Sequence, residues 1–175
     1  MRAKPLELRQ RRAAIGIAVL VGVAIALAVG WDSFERSRIH SVELGDGVLA
    51  RVLGRSQLEP SAGSEHKLWL DGEAVIDTSA TATLTLRSTL LEVVVEGDEP
   101  ARFYIDAHAK QPGAQVLVLR GHLRVGKAYA SPRPESHRLG PGEMLMVNRD
   151  IDFVENEKFT PAELPDWVRG DYSAR

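Results

Sequence analysis

One stretch of this chain narrows its options more than any other. Ala13 to Trp31 reads AAIGIAVLVGVAIALAVGW, 19 residues without a charged side chain. Wound as a helix rising about 1.5 Å per residue, such a run is about 28 Å long, close to the hydrocarbon thickness of a bilayer. Trp31 stands at its end, where an interfacial aromatic is expected. Arg2, Lys4, Arg9, Arg11 and Arg12 precede the run, opposed by Glu7 alone, whereas Asp32 and Glu35 alternate with Arg36 and Arg38 after it. That basic excess predicts an N-terminus held in the cytoplasm and an exported remainder. Residues 1–12 then form a short basic cytoplasmic tail, 13–31 a transmembrane helix and 32–38 a charged connector.

Two other readings account for the same stretch. Ala26-Leu27-Ala28 has the small-x-small form of a signal-peptide cleavage site, but the apolar run continues through it with no polar stretch before the cut. A buried core helix is the other, although a run apolar on every face is unusual in a small soluble domain. We carry forward the retained anchor, which expects a single-pass protein of the bacterial cytoplasmic (inner) membrane with its C-terminal domain in the periplasm. Gly16 and Gly22 are six apart, so a GxxxG helix-pairing motif is not formed.

Past Trp31 the chain holds 17 Lys and Arg against 23 Asp and Glu. This acidic balance expects no nucleic-acid partner, and membrane topology accounts for the basic N-terminal cluster. Cysteine is absent, so stability must come from packing rather than disulfides.

From Ile39 onward short period-two runs are broken by turn residues. Val42 and Leu44 lead into Gly45-Asp46-Gly47 and then VLARVL; PSAGS (60–64) reads as a loop. Leu68 and Leu70 are followed by Asp71-Gly72, read as a turn, and then by Ala74 and Ile76. Leu84 and Leu86 come next, then Leu91, Val93 and Val95; Phe103 and Ile105; Val116 and Val118; Leu123 and Val125; Leu145 and Val147. Roughly eight to ten strands fit this grammar. No segment between Ile39 and Val147 supplies repeated crossover helices, so a parallel α/β fold is not expected. The expected class is all-β: an antiparallel coiled sheet, β-helical or sandwich-like, over 39–154. Residues 155–175 read as a C-terminal tail with a short helical turn, in which Thr160 is the N-cap, Pro161 the first helical residue and Glu163 the capping-box acid. Pro165 limits that turn, and Trp167 is expected to pack the tail onto the sheet.

No phosphate loop, HExxH, GxSxG or EF-hand pattern occurs. His40, His66, His108, His122 and His137 are widely spaced, and no two have the i, i+2 or i, i+4 separation of a chelating pair, so no metal is expected. Asp46, Asp71, Glu73, Asp98, Glu99, Asp106 and Glu143 lie mostly at or near apparent turns, and nothing selects a catalytic pair among them. The expectation is a non-enzymatic domain with no catalytic, cofactor-binding or metal-ligating residues and no cofactor. Trp69 and Tyr104 fall opposite the apolar face of their strands, as interface residues or as core if that face is covered.

The order of these motifs resembles the exported domain of the FecR family. Val42-Glu43-Leu44-Gly45-Asp46-Gly47-Val48 is similar to that family's opening strand, L-x-DG and second strand. Leu70-Asp71-Gly72-Glu73-Ala74-Val75-Ile76-Asp77 resembles its L-x-GEA segment, and Leu84-Thr85-Leu86-Arg87-Ser88-Thr89 the strand and threonine that follow. Val116 to Val125 (VLVLRGHLRV) is similar to its pair of β runs around a single glycine, and Leu139-Gly140-Pro141-Gly142-Glu143 to its closing L-x-PGE. The Gly-Thr before the family's Phe-x-Val strand is replaced by Glu96-Gly97-Asp98 ahead of Arg102-Phe103-Tyr104-Ile105. Typical members carry a cytoplasmic region that engages a sigma factor, and many have a C-terminal signalling-type domain. Here 12 residues precede the apolar run and a short tail ends the chain, so the resemblance implies a FecR-like single-pass protein lacking the sigma-factor-binding region.

The function this implies is a membrane-anchored sensory or protein-interaction module, partnered by the membrane through 13–31 and by another envelope protein or membrane regulator. A structural subunit of an envelope or transport complex is the alternative. A glycan-binding module or glycan-acting enzyme is a third, requiring Trp69 or Tyr104 to cluster with Asp71 or Asp106.

Overall fold

The computed structural model describes residues 38–45, 47–61 and 67–172. The anchor expected at 13–31, its basic tail and nearly all of the connector lie outside the described residues. Among the described residues no helix is long and apolar enough to cross a membrane. Residues from Ile39 onward form one compact unit.

Twelve strands are described. They are β1 (Ile39–Glu43), β2 (Val48–Leu53), β3 (Gln57–Pro60), β4 (Lys67–Thr78), β5 (Thr85–Arg87), β6 (Leu91–Glu96), β7 (Arg102–Ala107), β8 (Gly113–Arg120), β9 (His122–Lys127), β10 (Ser136–Leu139), β11 (Glu143–Asn148) and β12 (Phe153–Lys158). A 3-10 turn at Pro161–Glu163 and helix α1 (Asp166–Tyr172) close the chain. The all-β expectation holds for this unit. The strand count exceeds the eight to ten read from the alternation, because β3, β10 and β12 are short or polar edge strands without an apolar rhythm. The boundary expected at 154 falls inside β12.

The strands form one coiled sheet that doubles back into two layers, with β4 common to both. One layer runs β1-β2-β4-β7-β8-β11-β12; the other has β3 and β5 beside the start of β4 and continues through β6, β9 and β10. All neighbours are antiparallel except β4 and β5. Asp71-Gly72 is therefore not a turn. β4 passes through it unbroken, and Gly72 (φ 129°) is where its partners change from β3 and β5 to β2 and β7. A Cβ at Gly72 would collide with the Ser56 side chain. The Ser56 hydroxyl fills that corner, donating to the Leu53 carbonyl at 2.6 Å and accepting the Glu73 N–H at 2.8 Å. Such a corner is how a strand leaves one sheet for another.

Alternation sends Val48, Ala50, Leu68, Leu70, Ala74, Ile76, Phe103, Ile105, Val116 and Val118 into a core that also takes Leu86, Val93, Leu123 and Val125 from the other layer. Gly121 (φ 77°) is the single residue joining β8 in one layer to β9 in the other, packed against the backbone of Pro100 and Ala101. The PGE segment forms the turn between β10 and β11: the Glu143 N–H donates to the Gly140 carbonyl at 3.1 Å, with Pro141 at the second position and Gly142 at positive φ in the third. The Glu143 carboxylate bends back to accept the Gly140 N–H at 2.7 Å, so its role is to close this turn.

A second, smaller core lies on the outer face of the β4-β7-β8-β11 layer, where Val75, Tyr104, Leu117, Leu119 and Met144 are covered by Phe159, Leu164 and Val168. Thr160 and Glu163 form the expected cap, the Thr160 N–H and hydroxyl both donating to the Glu163 carboxylate. Pro165 limits the 3-10 turn to Pro161–Glu163, as expected, and helix α1 follows it. Its seven residues are too few to be stable alone. Val168 buries against the sheet, and Arg169 ties α1 to the preceding turn by donating to the Leu164 carbonyl at 2.8 Å and the Ala162 carbonyl at 3.0 Å. Trp167 packs edge-on to Tyr104, ring centroids 5.9 Å apart, as expected for a tail laid on the sheet.

Candidate functional site

Of the carboxylates picked out in the sequence, Glu73 and Asp106 meet. They sit directly opposite one another on β4 and β7, both on the outer face. Like charges in that relation repel. The strand assignment also corrects the reading of Asp71 and Glu73 as residues near turns, since both are within β4, whereas Asp106 is the second-last residue of β7, next to the turn at His108–Gln111. His108, just past the end of β7, completes the group, its Nε2 3.8 Å from Glu73 Oε1 and 3.7 Å from Asp106 Oδ1. The three side chains are partly sheltered, at 24%, 27% and 38% exposed.

Each is positioned by something specific. The β4 corner at Gly72 and Ser56 fixes the Glu73 backbone, and the Tyr104 hydroxyl donates to Glu73 Oε2 at 2.8 Å. Asp71 accepts the Ala109 N–H at 2.7 Å, which holds the chain as it leaves His108. Asp106 Oδ1 is buried and has no hydrogen-bond partner. Burial, then the Glu73 charge, pushes the Asp106 carboxyl up from its ordinary value, against the opposing pull of His108 and a hydrogen bond from Gln115. The Tyr104 phenol is pushed up as well, by burial first and then by Glu73. Chemically, the group offers one imidazole nitrogen and two carboxylate oxygens, all within 4.8 Å of one another. Asp106-x-His108 has the i, i+2 spacing of a strand chelate, a signal that spacings between histidines alone do not register.

The remaining residues are dispersed. Asp46 and His66 lie outside the described residues. His40 is on β1, and His137 on β10 lies 3.6 Å from Glu135. Asp98, Glu99 and His122 line a cleft of about 550 Å³ with Glu96, Gly97 and Arg138. Its chemistry is largely internal, since the Glu96 carboxylate is shared by Arg124 at 2.9 Å and Arg138 at 2.8 Å. Trp69 is 40% exposed on the outer face of β4, between Glu59 of β3 and Arg87 of β5. Tyr104 is core, covered by the C-terminal segment rather than by a second sheet.

Elsewhere Lys127, buried at the end of β9, places its ammonium 2.7 Å from Asp152 Oδ1 and 2.9 Å from Ser131 Oγ, with the Tyr129 ring beside it. This joins the β9–β10 loop to the β11–β12 turn, where Asp152 adopts a positive φ of 47°.

No family model matches the chain, and no curated protein matches it. Its fold is similar to that of solved bacterial proteins. A candidate anti-sigma factor from Parabacteroides distasonis, solved at 1.65 Å, superposes with a TM-score of 0.64 at 18% identity, over 78% of this chain and 63% of that one. A second candidate anti-sigma factor from the same organism, solved at 2.50 Å, superposes with a TM-score of 0.58 at 19% identity, over 71% of this chain and 57% of that one. The chain thus spans about three-fifths of the length of these neighbours. At this identity the likeness is one of fold.

Proposed function

We propose that this chain is a membrane-tethered, exported regulatory module of the FecR-like kind, acting by contact with another envelope protein or membrane regulator and doing no covalent chemistry. The observation that carries the reading is the fold shared with candidate anti-sigma factors over most of the β unit. The order of motifs supports it from the sequence side. Two of the segments that resemble the FecR domain, Asp71-Gly72 and Arg120-Gly121-His122, fall where the sheet changes layer, so they are features of the architecture rather than isolated turn signals.

The test is crosslinking in native membranes, with mass spectrometry of what co-purifies with the full-length, C-terminally tagged chain. Recovery of a sigma factor, an anti-sigma factor or an outer-membrane receptor supports the regulatory reading. Stoichiometric recovery of an envelope or transport complex without a regulator overturns it in favour of a structural subunit. Fusion of alkaline phosphatase after the last residue tests the topology, and an inactive reporter with an active cytoplasmic one at the same point would overturn export.

A further inference from the structure

We infer that Glu73, Asp106 and His108 form a binding site for a divalent first-row transition ion of the zinc class. This rests on the geometry of the β unit alone and stands or falls apart from the regulatory reading.

Three observations point the same way. First, two carboxylates face each other directly across β4 and β7, a placement that costs stability without a cation between them. Neither pairs with an arginine or lysine in the ion pairs described; His108 is the charged-type neighbour they share. Second, the imidazole does not resolve the conflict by hydrogen bonding, because 3.7 and 3.8 Å are beyond hydrogen-bond distance. Ligand atoms each about 2.0–2.2 Å from one zinc ion stand roughly 3–4 Å apart; His108 Nε2 lies at 3.7 and 3.8 Å from the two carboxylate oxygens, and all three atoms are within 4.8 Å of one another. Third, Asp106 Oδ1 is buried without a partner, and it is the oxygen nearest His108. A buried carboxylate oxygen left unsatisfied calls for an explanation, and a bound ion supplies one.

The donor set chooses the class of ion. One imidazole with two carboxylates suits zinc, manganese, iron or nickel, whereas calcium and magnesium take oxygen ligands alone. Three protein donors leave at least one position for water or for a group from a partner. The supporting contacts are those of a metal centre too: Tyr104 holds the second oxygen of Glu73, and Asp71 fixes the backbone after His108. Tyr104 also touches Trp167 of α1, so the site lies one contact from the segment that covers this face.

The experiment is a zinc titration of the full-length chain in mild detergent, after chelator treatment, in competition with a chromophoric chelator. One zinc ion per chain with a micromolar or tighter Kd is expected. His108→Ala and Asp106→Asn should each weaken it by more than the about 10–100-fold typical of losing an outer-shell partner, and Tyr104→Phe by about tenfold. His122→Ala and His137→Ala should leave the affinity unchanged. Zinc should raise the melting temperature of the parent and not that of His108→Ala, whose far-ultraviolet circular dichroism checks that it folds. No binding below about 100 μM, equal binding by the His108 and Asp106 variants, or calcium and magnesium binding as tightly as zinc would each overturn the assignment.

Discussion

Gly121 is the strongest single test of the two-layer fold. It is the one-residue joint between β8 and β9, and its φ of 77° lies in the left-handed region. A methyl group there meets the Ala101 Cα and the Pro100 carbonyl oxygen, both at 2.8 Å. Those are backbone atoms of the segment entering β7, so they do not yield as the end of a side chain would. Gly121→Ala therefore carries the left-handed cost of about 1–2 kcal/mol and an overpacking cost of about 1–3 kcal/mol. A smaller unfolded-state entropy returns about 0.4–1 kcal/mol. The expected net loss is about 1–4.6 kcal/mol, a large share of the about 5–15 kcal/mol that holds a typical domain. Gly97 is the control. Its φ is 91°, yet nothing lies within 4 Å of where its Cβ would be. Gly97→Ala should bear the backbone cost alone, a net loss of about 0–1.6 kcal/mol. Urea denaturation of residues 39–175, followed by circular dichroism with matched m-values, measures the difference. If the two variants fall within about 0.5 kcal/mol of each other, the close approach of the two layers at Gly121 is wrong.

Three further outcomes follow from the charged groups. Tyr104→Phe leaves Glu73 without its phenol donor and should cost about 1.5 kcal/mol. The phenol is raised in the folded state, so wild-type stability is intact below about pH 10 and falls as pH rises past it, a slope the Phe variant should lack in urea midpoints from pH 8 to 11. Asp106 is likewise raised, so its contribution is greatest below the unfolded carboxyl value of about 3.8 and is lost as pH rises through the folded one. In chelator at neutral pH, Asp106→Asn should thus match or exceed the wild type by about 0.2–1 kcal/mol, and a clear loss there would refute the repulsion across β4 and β7. Asp152 runs the other way: its hydrogen bonds from Lys127 and then Ser131 lower the carboxyl, so its contribution is present at neutral pH and is lost as pH falls through the folded value. Asp152→Asn should be less stable than the wild type near pH 7, and the two should converge in strong acid when melts are compared.

Much of the architecture was legible because its physics is local. Alternation in Leu91-Glu92-Val93-Val94-Val95 or Phe103-Tyr104-Ile105 reports which side chains can share a face, whatever the fold around them. Gly140-Pro141-Gly142-Glu143 announces its turn because proline and glycine restrict or permit particular φ values. The Thr160–Glu163 cap is equally local. Where the reading failed, the missing information was not local. Asp71-Gly72 looks like any turn, and only the presence of β2 and β7 beyond it keeps β4 extended. The edge strands β3, β10 and β12 have too few buried residues to show a rhythm.

The sequence by itself determined the β grammar, the absence of disulfides and the turn chemistry, and it set out an apolar run that predicts an anchor. Tertiary structure decided the rest. It decided that Tyr104 is core, because a segment more than fifty residues later folds over it. It brought Glu73 to Asp106 and His108 across a strand pairing, a contact between residues 33 and 35 positions apart that no spacing rule encodes. Periodicity records the faces of single strands, whereas a site made from two strands depends on register, and register is settled only when the whole core packs.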